Sequence, residues 1–155
     1  MHNKTTKDKG LRVDDSDPLA FQFLDCEKEI CGNATFVDID YEKLMGTKTT
    51  VIQQTDSLQK ILGETKTYPE PNAVLLRAPQ YVAVGCDLKN LKKLESSLDE
   101  VIGSAPASVL CIAEVSLTYM DIDSADALLS WIPKFGKGRS HCILKAALCF
   151  KCARG

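Results

Sequence analysis

Apolar positions in this chain fall into short runs separated by polar stretches, and the runs follow two different periods. "FVDID" (36–40), "YVAVGCDL" (81–88) and "SVLCIAEVSL" (108–117) are brief and rich in β-branched residues. They lack a clean apolar–polar alternation, which is the pattern of strands covered on both faces. Between them the period lengthens. From Tyr41 to Leu62 the pattern is helical but broken, clearest in "DSLQKIL", and Gly63 is a natural stop. In "LKNLKKLESSLDEVIG", Leu88, Leu91, Leu94, Leu98, Val101 and Ile102 recur at three- and four-residue steps. That spacing places them on one face of a helix closed by Gly103.

"DIDSADALLSWI" predicts a further helix, with Asp123 or Ser124 near its start and Pro133 just beyond its end. "ETKTYPEPNAVLLRAPQ" carries three of the six prolines and reads as a loop around the short run Ala73 to Leu76. Strands separated by helical segments imply parallel crossovers, hence an α/β fold with helices on both faces of a parallel sheet. The ends differ from this middle. Residues 1–15 are polar, charged and without an apolar period, and are expected to form a mobile arm. Residues 138–155 form a basic, cysteine-rich tail in which "ILKAALCF" is equally readable as a strand or a short helix. One domain over residues 16–137 accounts for the rest, and a sheet of this kind would be incomplete.

Composition narrows the class without naming a function. A chain of 155 residues, 45% hydrophobic and 26% charged, is of ordinary globular make-up, and a net charge of −2 provides no basic field for nucleic acid. No apolar window is long enough to span a bilayer and the first ten residues have no signal-peptide core, so the expected location is cytoplasmic and no membrane partner is expected. Seven cysteines, an odd number and several inside apolar runs, fit reduced thiols better than a disulfide framework.

Each of the three strands leads into an acid: Asp40, Asp87 and Glu114. In a parallel sheet these side chains gather at the carboxyl edge, where open α/β sheets bind ligands. Three carboxylates on one rim repel each other unless donors or a positive charge lie between them. The ligand they suit offers hydroxyls, an amine and an ammonium, as a nucleoside carrying an amino acid does.

"DPLAFQFLD", "FVDIDYEKLM", "YVAVGCDL" and "IAEVSLTYM" together resemble, in order and spacing, the leucine carboxyl methyltransferase family. Within it the sequence is most similar to the tRNA wybutosine-synthesizing branch of fungal type. The resemblance covers roughly residues 16–135. It implies a Rossmann-like class I methyltransferase fold and S-adenosylmethionine as cofactor. By motif position, Asp40 would bind the ribose hydroxyls, Asp87 and Leu88 the adenine, and Glu114 the methionyl part. It also implies tRNA as partner, with the catalytic subunit of phosphatase 2A as the alternative. An inactive fragment is the non-enzymatic alternative, because the family has a glycine-rich LGxGxD turn where this chain has "RVDDSDPL", with Val13 and Asp15 at the expected glycines. Both ends depart from the family pattern, which leads to the expectation of a chain truncated at either end.

Methyl transfer to a carboxylate needs little acid or base catalysis, since the nucleophile is already ionised at neutral pH, so no catalytic residue is assigned. His2 and His141 lie in poorly patterned ends and pair with nothing. "DID" occurs twice, but a strand puts Asp38 and Asp40 on one face with no further ligands, and the second copy fits a helix start, so no metal is assigned. "CFKC" (149–152) is a lone CxxC and is weak as a zinc half-site. Tyr119 is equally suited to lining the ligand edge and to packing against Trp131.

Overall fold

The computed structural model describes residues 32–69, 71–103, 108–114, 116–135 and 140–146. The arm, "LAFQFL", Val13, Asp15, His2 and "CFKC" lie outside the described residues.

Strand β1 (Phe36–Asp40) leads into α1 (Glu42–Gln54) and α2 (Asp56–Leu62), with the helical pattern breaking at the extended Thr55. Gly63 ends α2 at φ +77°, a left-handed conformation that glycine adopts without a Cβ penalty. Three strands follow: β2 (Lys66–Thr67), β3 (Val74–Arg77) and β4 (Tyr81–Gly85). The chain continues through α3 (Leu91–Ile102), β5 (Ser108–Glu114), α4 (Ile122–Trp131) and β6 (Ser140–Ala146).

The main sheet has the order β1-β4-β3-β2. β1 and β4 run parallel, Phe36 opposite Tyr81 and Asp40 opposite Gly85, so α1 and α2 lie within a crossover. The expectation of an all-parallel sheet fails at β3, which is antiparallel to β4 and is itself a strand where the sequence reads as a loop. The connection explains this. Only Ala78 to Gln80 separate the two strands, and a link that short can join only antiparallel neighbours; Ala78 N–H donates to Tyr81 C=O at 2.8 Å to close it. The prolines that flank the run disguised it.

Two apolar layers cover the sheet. Tyr81 and Ala83 pack with Met45, Ile52, Leu62 and Leu76 beneath α1 and α2. Val82 and Val84, pointing the other way, pack with Val74, Leu94 and Leu128 beneath α3 and α4. Every residue of β4 is buried, which is why its sequence does not alternate. In α3, Leu94 is buried and Leu91, Leu98 and Val101 pack around it, as their spacing predicts. Asn90 caps this helix by accepting from Lys93 N–H, and Gly103 ends it at φ +67°. The cap of α4 is Asp121, two or three residues earlier than the sequence suggested: its Oδ1 accepts from Ser124 N–H at 2.9 Å.

β5 and β6 form a separate two-stranded parallel ladder, from Ser108 opposite Ser140 to Glu114 opposite Ala146, which makes Ile143 to Ala146, the described part of the ambiguous tail segment, a strand. Among the described residues β1 has β4 as its ladder partner and β5 has β6. Leu110 and Ile112 on β5 are correspondingly exposed.

Candidate functional site

The ends of β1 and β4 are tied together, because Cys86 N–H donates to Asp40 C=O at 2.8 Å just beyond the last paired residues. This places Asp40 and Asp87 beside one cavity of about 190 Å³. Tyr41, Cys86 and Leu88 line it from the same two strand ends, and Ser116, Tyr119 and Met120 line it from the turn after β5. At less than the roughly 300–1,000 Å³ of an ordinary ligand pocket, it suits one end of a ligand rather than the whole.

Both acids are oriented by their own loops. Asp40 Oδ1 accepts from Tyr41 N–H at 2.7 Å, and Asp87 Oδ1 accepts from Lys89 N–H at 2.9 Å. Among the described residues, neither carboxylate has a hydrogen bond at its Oδ2. Leu88 is half-buried against the core beneath α3 and gives the cavity an apolar wall. Glu114 is the last residue of β5, two residues before Ser116; its side chain lies outside the described part. Of the four residues expected to form the site, the structure thus brings three to one cavity and places the fourth at the end of a strand in the separate β5–β6 ladder, so the three acids do not share one sheet edge among the described residues.

The Cys86 thiol is fully buried and held above its ordinary titration range, first by desolvation. It is a packing residue at the cavity floor, and in that form a poor nucleophile. Tyr119 is 85% exposed and lines the cavity; the ring that packs on Trp131 is Phe135, with centroids 4.8 Å apart. Asp38, one face-sharing position before Asp40, accepts from Tyr81 and pairs with Lys48. It is committed to the layer beneath α1 rather than to the cavity.

A second, more open depression of about 340 Å³ adjoins the first and shares Tyr41 and Asp87 with it. It lies between the starts of α1 and α3, where Glu42 pairs with Lys93. The smaller cavity is the better candidate, since the apolar Leu88 and Met120 stand there beside polar groups that converge from two strand ends.

A profile of the leucine carboxyl methyltransferase family matches residues 16–133. The chain belongs to that family. Proteins called tRNA wybutosine-synthesizing protein 4 are among its relatives: one from Aspergillus fumigatus is 45% identical over 129 residues, and one from Emericella nidulans 46% over the same length. Each match covers 83% of this chain and 12% of the relative. The protein of that name from Saccharomyces cerevisiae is 35% identical over 136 residues, 83% of this chain and 19% of the relative. The chain therefore spans about an eighth of the length of the Aspergillus relatives it matches.

Within this family setting the acceptor set is coherent. Carboxylates at the ends of the adjacent strands β1 and β4 accept from hydroxyls and amines, and an apolar wall beside one of them suits a flat ring. Sequence reasoning did not pick out Tyr41, Ser116 or Met120. Their signal was adjacency: Tyr41 follows a strand-end acid directly, and Ser116 and Met120 flank Tyr119 in the turn after Glu114.

Proposed function

We propose that this chain carries the cofactor-binding part of an S-adenosylmethionine-dependent carboxyl methyltransferase acting in wybutosine modification of phenylalanine tRNA. The observation that carries the reading is the meeting of Asp40, Asp87 and Leu88 at one cavity within a chain of this family. The names of the relatives, tRNA wybutosine-synthesizing protein 4, support tRNA over a phosphatase as the substrate.

In this reading Asp40 accepts from the two ribose hydroxyls through Oδ2, its Oδ1 being held by Tyr41 N–H. Asp87 accepts from the exocyclic amine while Leu88 packs on the base, and Glu114, the last residue of β5, is assigned to the methionyl part. When bound, the cofactor supplies a methyl group on a positively charged sulfur. The chain contributes binding and orientation, which is where most of the rate of such a displacement comes from. The expected location is cytoplasmic; no helix among the described residues is long and apolar enough to cross a membrane.

Titration calorimetry of the full chain with S-adenosylmethionine and S-adenosylhomocysteine tests the cofactor assignment. Binding should be lost or weakened at least about tenfold in Asp40→Ala and Asp87→Ala, since each removes charge-assisted hydrogen bonds. Binding that neither substitution changes overturns it. Methyl transfer to hypomodified phenylalanine tRNA, compared with transfer to a phosphatase catalytic subunit, divides the substrates.

A further inference from the structure

Lys89 and Asp121 join two segments that both line the cavity. Lys89 directly follows Leu88, and Asp121 directly follows Met120, so the residue before each member of the pair lines the cavity. Lys89 Nζ donates to Asp121 Oδ2 at 2.6 Å. At the same time Lys89 N–H holds Asp87 Oδ1, while Asp121 accepts from Ser124 N–H at 2.9 Å and from Ser124 Oγ at 3.0 Å. One ion pair therefore connects the loop that orients Asp87 to the start of α4, and its two members adjoin in sequence Leu88 and Met120, which both line the cavity.

We propose that Lys89 and Asp121 are a positioning pair for the cofactor: their ion pair sets the separation between the Asp87–Leu88 loop and the Tyr119–Met120 turn, and so the width of the nucleoside end of the cavity. This rests on the cavity being the cofactor site. The geometry supports a positioning role more than a stabilising one. Both side chains are about half exposed, where an ion pair adds little to folding and is screened by salt. The segments it joins, however, both carry residues that line one small cavity. A shift of an ångström there changes contact with a bound ring, while the core beneath α3 and α4 is untouched.

The test separates the ion pair from helix capping. Asp121→Ser keeps an N-cap side chain for α4 and removes the carboxylate; Lys89→Met keeps the aliphatic stem and removes the charge. Affinity for S-adenosylhomocysteine is measured for the full chain, both single variants and the double variant, at low and high potassium chloride, alongside melting temperature. Each single variant is expected to weaken binding about three- to tenfold with little change in melting temperature, and the double variant to be no weaker than either single one. The affinity of the unsubstituted protein should fall with salt, and that of the double variant should not. Unchanged affinity in the variants, or losses that simply add, overturn the pair's role. If Asp40→Ala abolishes binding while the Lys89 and Asp121 variants bind normally, the pairing proposal fails and the cofactor site stands. If the unsubstituted chain does not bind, both fall.

Discussion

Tyr81 and Asp38 meet across the parallel β1–β4 ladder, the phenolic hydroxyl donating to Asp38 Oδ2 at 3.0 Å. Tyr81 is completely buried, and Lys48 from α1 reaches the same carboxylate oxygen. The three groups give the sheet face beneath α1 one connected polar cluster and tie α1 to the strand that ends in Asp40.

Tyr81→Phe should therefore cost about 1.5 kcal/mol, near the lower end for a hydrogen bond to a charged group because Asp38 keeps Lys48. The pH dependence follows from the same contact. Burial, and then the Asp38 charge and hydrogen bond, hold the phenol far above its ordinary value of 10.0. A folded-state value raised above the unfolded one contributes stability that is complete below the unfolded value and is lost as pH rises past it. Denaturant unfolding of the full chain between about pH 8 and 11 should show stability falling with pH above about 10. The Phe variant should lack that component, and a parallel fall in both proteins would contradict the assignment.

Thr49 supplies the opposite case. It is 8% exposed on α1, and its Oγ1 has no hydrogen-bond partner among the described residues. A buried hydroxyl without a partner carries its desolvation cost uncompensated, about 1–3 kcal/mol. Thr49→Val keeps the β-branched shape and removes the oxygen, so it should raise stability by about 1 kcal/mol. Chemical denaturation would detect this as a higher midpoint at unchanged slope. A lower midpoint would mean that the hydroxyl is satisfied in solution.

What could be read from the sequence was what local pattern controls. The leucine stripe of α3, the stops at Gly63 and Gly103, and the three strands ending in acids all follow from periodicity and glycine chemistry within a few residues. The strand Val74–Arg77 was hidden because four apolar residues between prolines look the same in a loop and in a buried strand; its pairing with β4 is decided by the tight turn and by burial on both sides. The candidate cavity was legible through Asp40, Asp87 and Leu88, which lie at the end of β1 and just past the end of β4. The Lys89–Asp121 pair was not, since 32 residues and a whole helix separate them and a lone lysine and aspartate carry no spacing signal. Asp121 also displaced the expected cap because an aspartate before an isoleucine is as good an N-cap as the aspartate after it.

Gly85 connects fold and site most directly. It ends β4 opposite Asp40, and a Cβ placed there would lie 3.0 Å from Glu42 Cα, with Glu42 Cγ and Leu75 Cδ1 both at 3.2 Å. The nearest atom belongs to the backbone at the first turn of α1, so the clash cannot be relieved by turning a flexible side chain. Gly85→Ala should cost about 1–3 kcal/mol, the range for forcing a methyl into a packed core. Its φ is not in the left-handed region, so the cost is steric and not conformational. The displaced segment is the start of α1, which follows Asp40 and Tyr41 without a spacer. The substitution should therefore weaken cofactor binding as well as lower the melting temperature, whereas Leu62→Ala, a cavity in the layer beneath α1 and α2 that holds none of the cavity-lining residues, should lower the melting temperature at least as much and leave the affinity of the folded fraction nearly unchanged. Calorimetry on both variants at a temperature where each is folded makes the comparison. Equal affinities in the two would detach Gly85 from the site and leave it a packing residue alone.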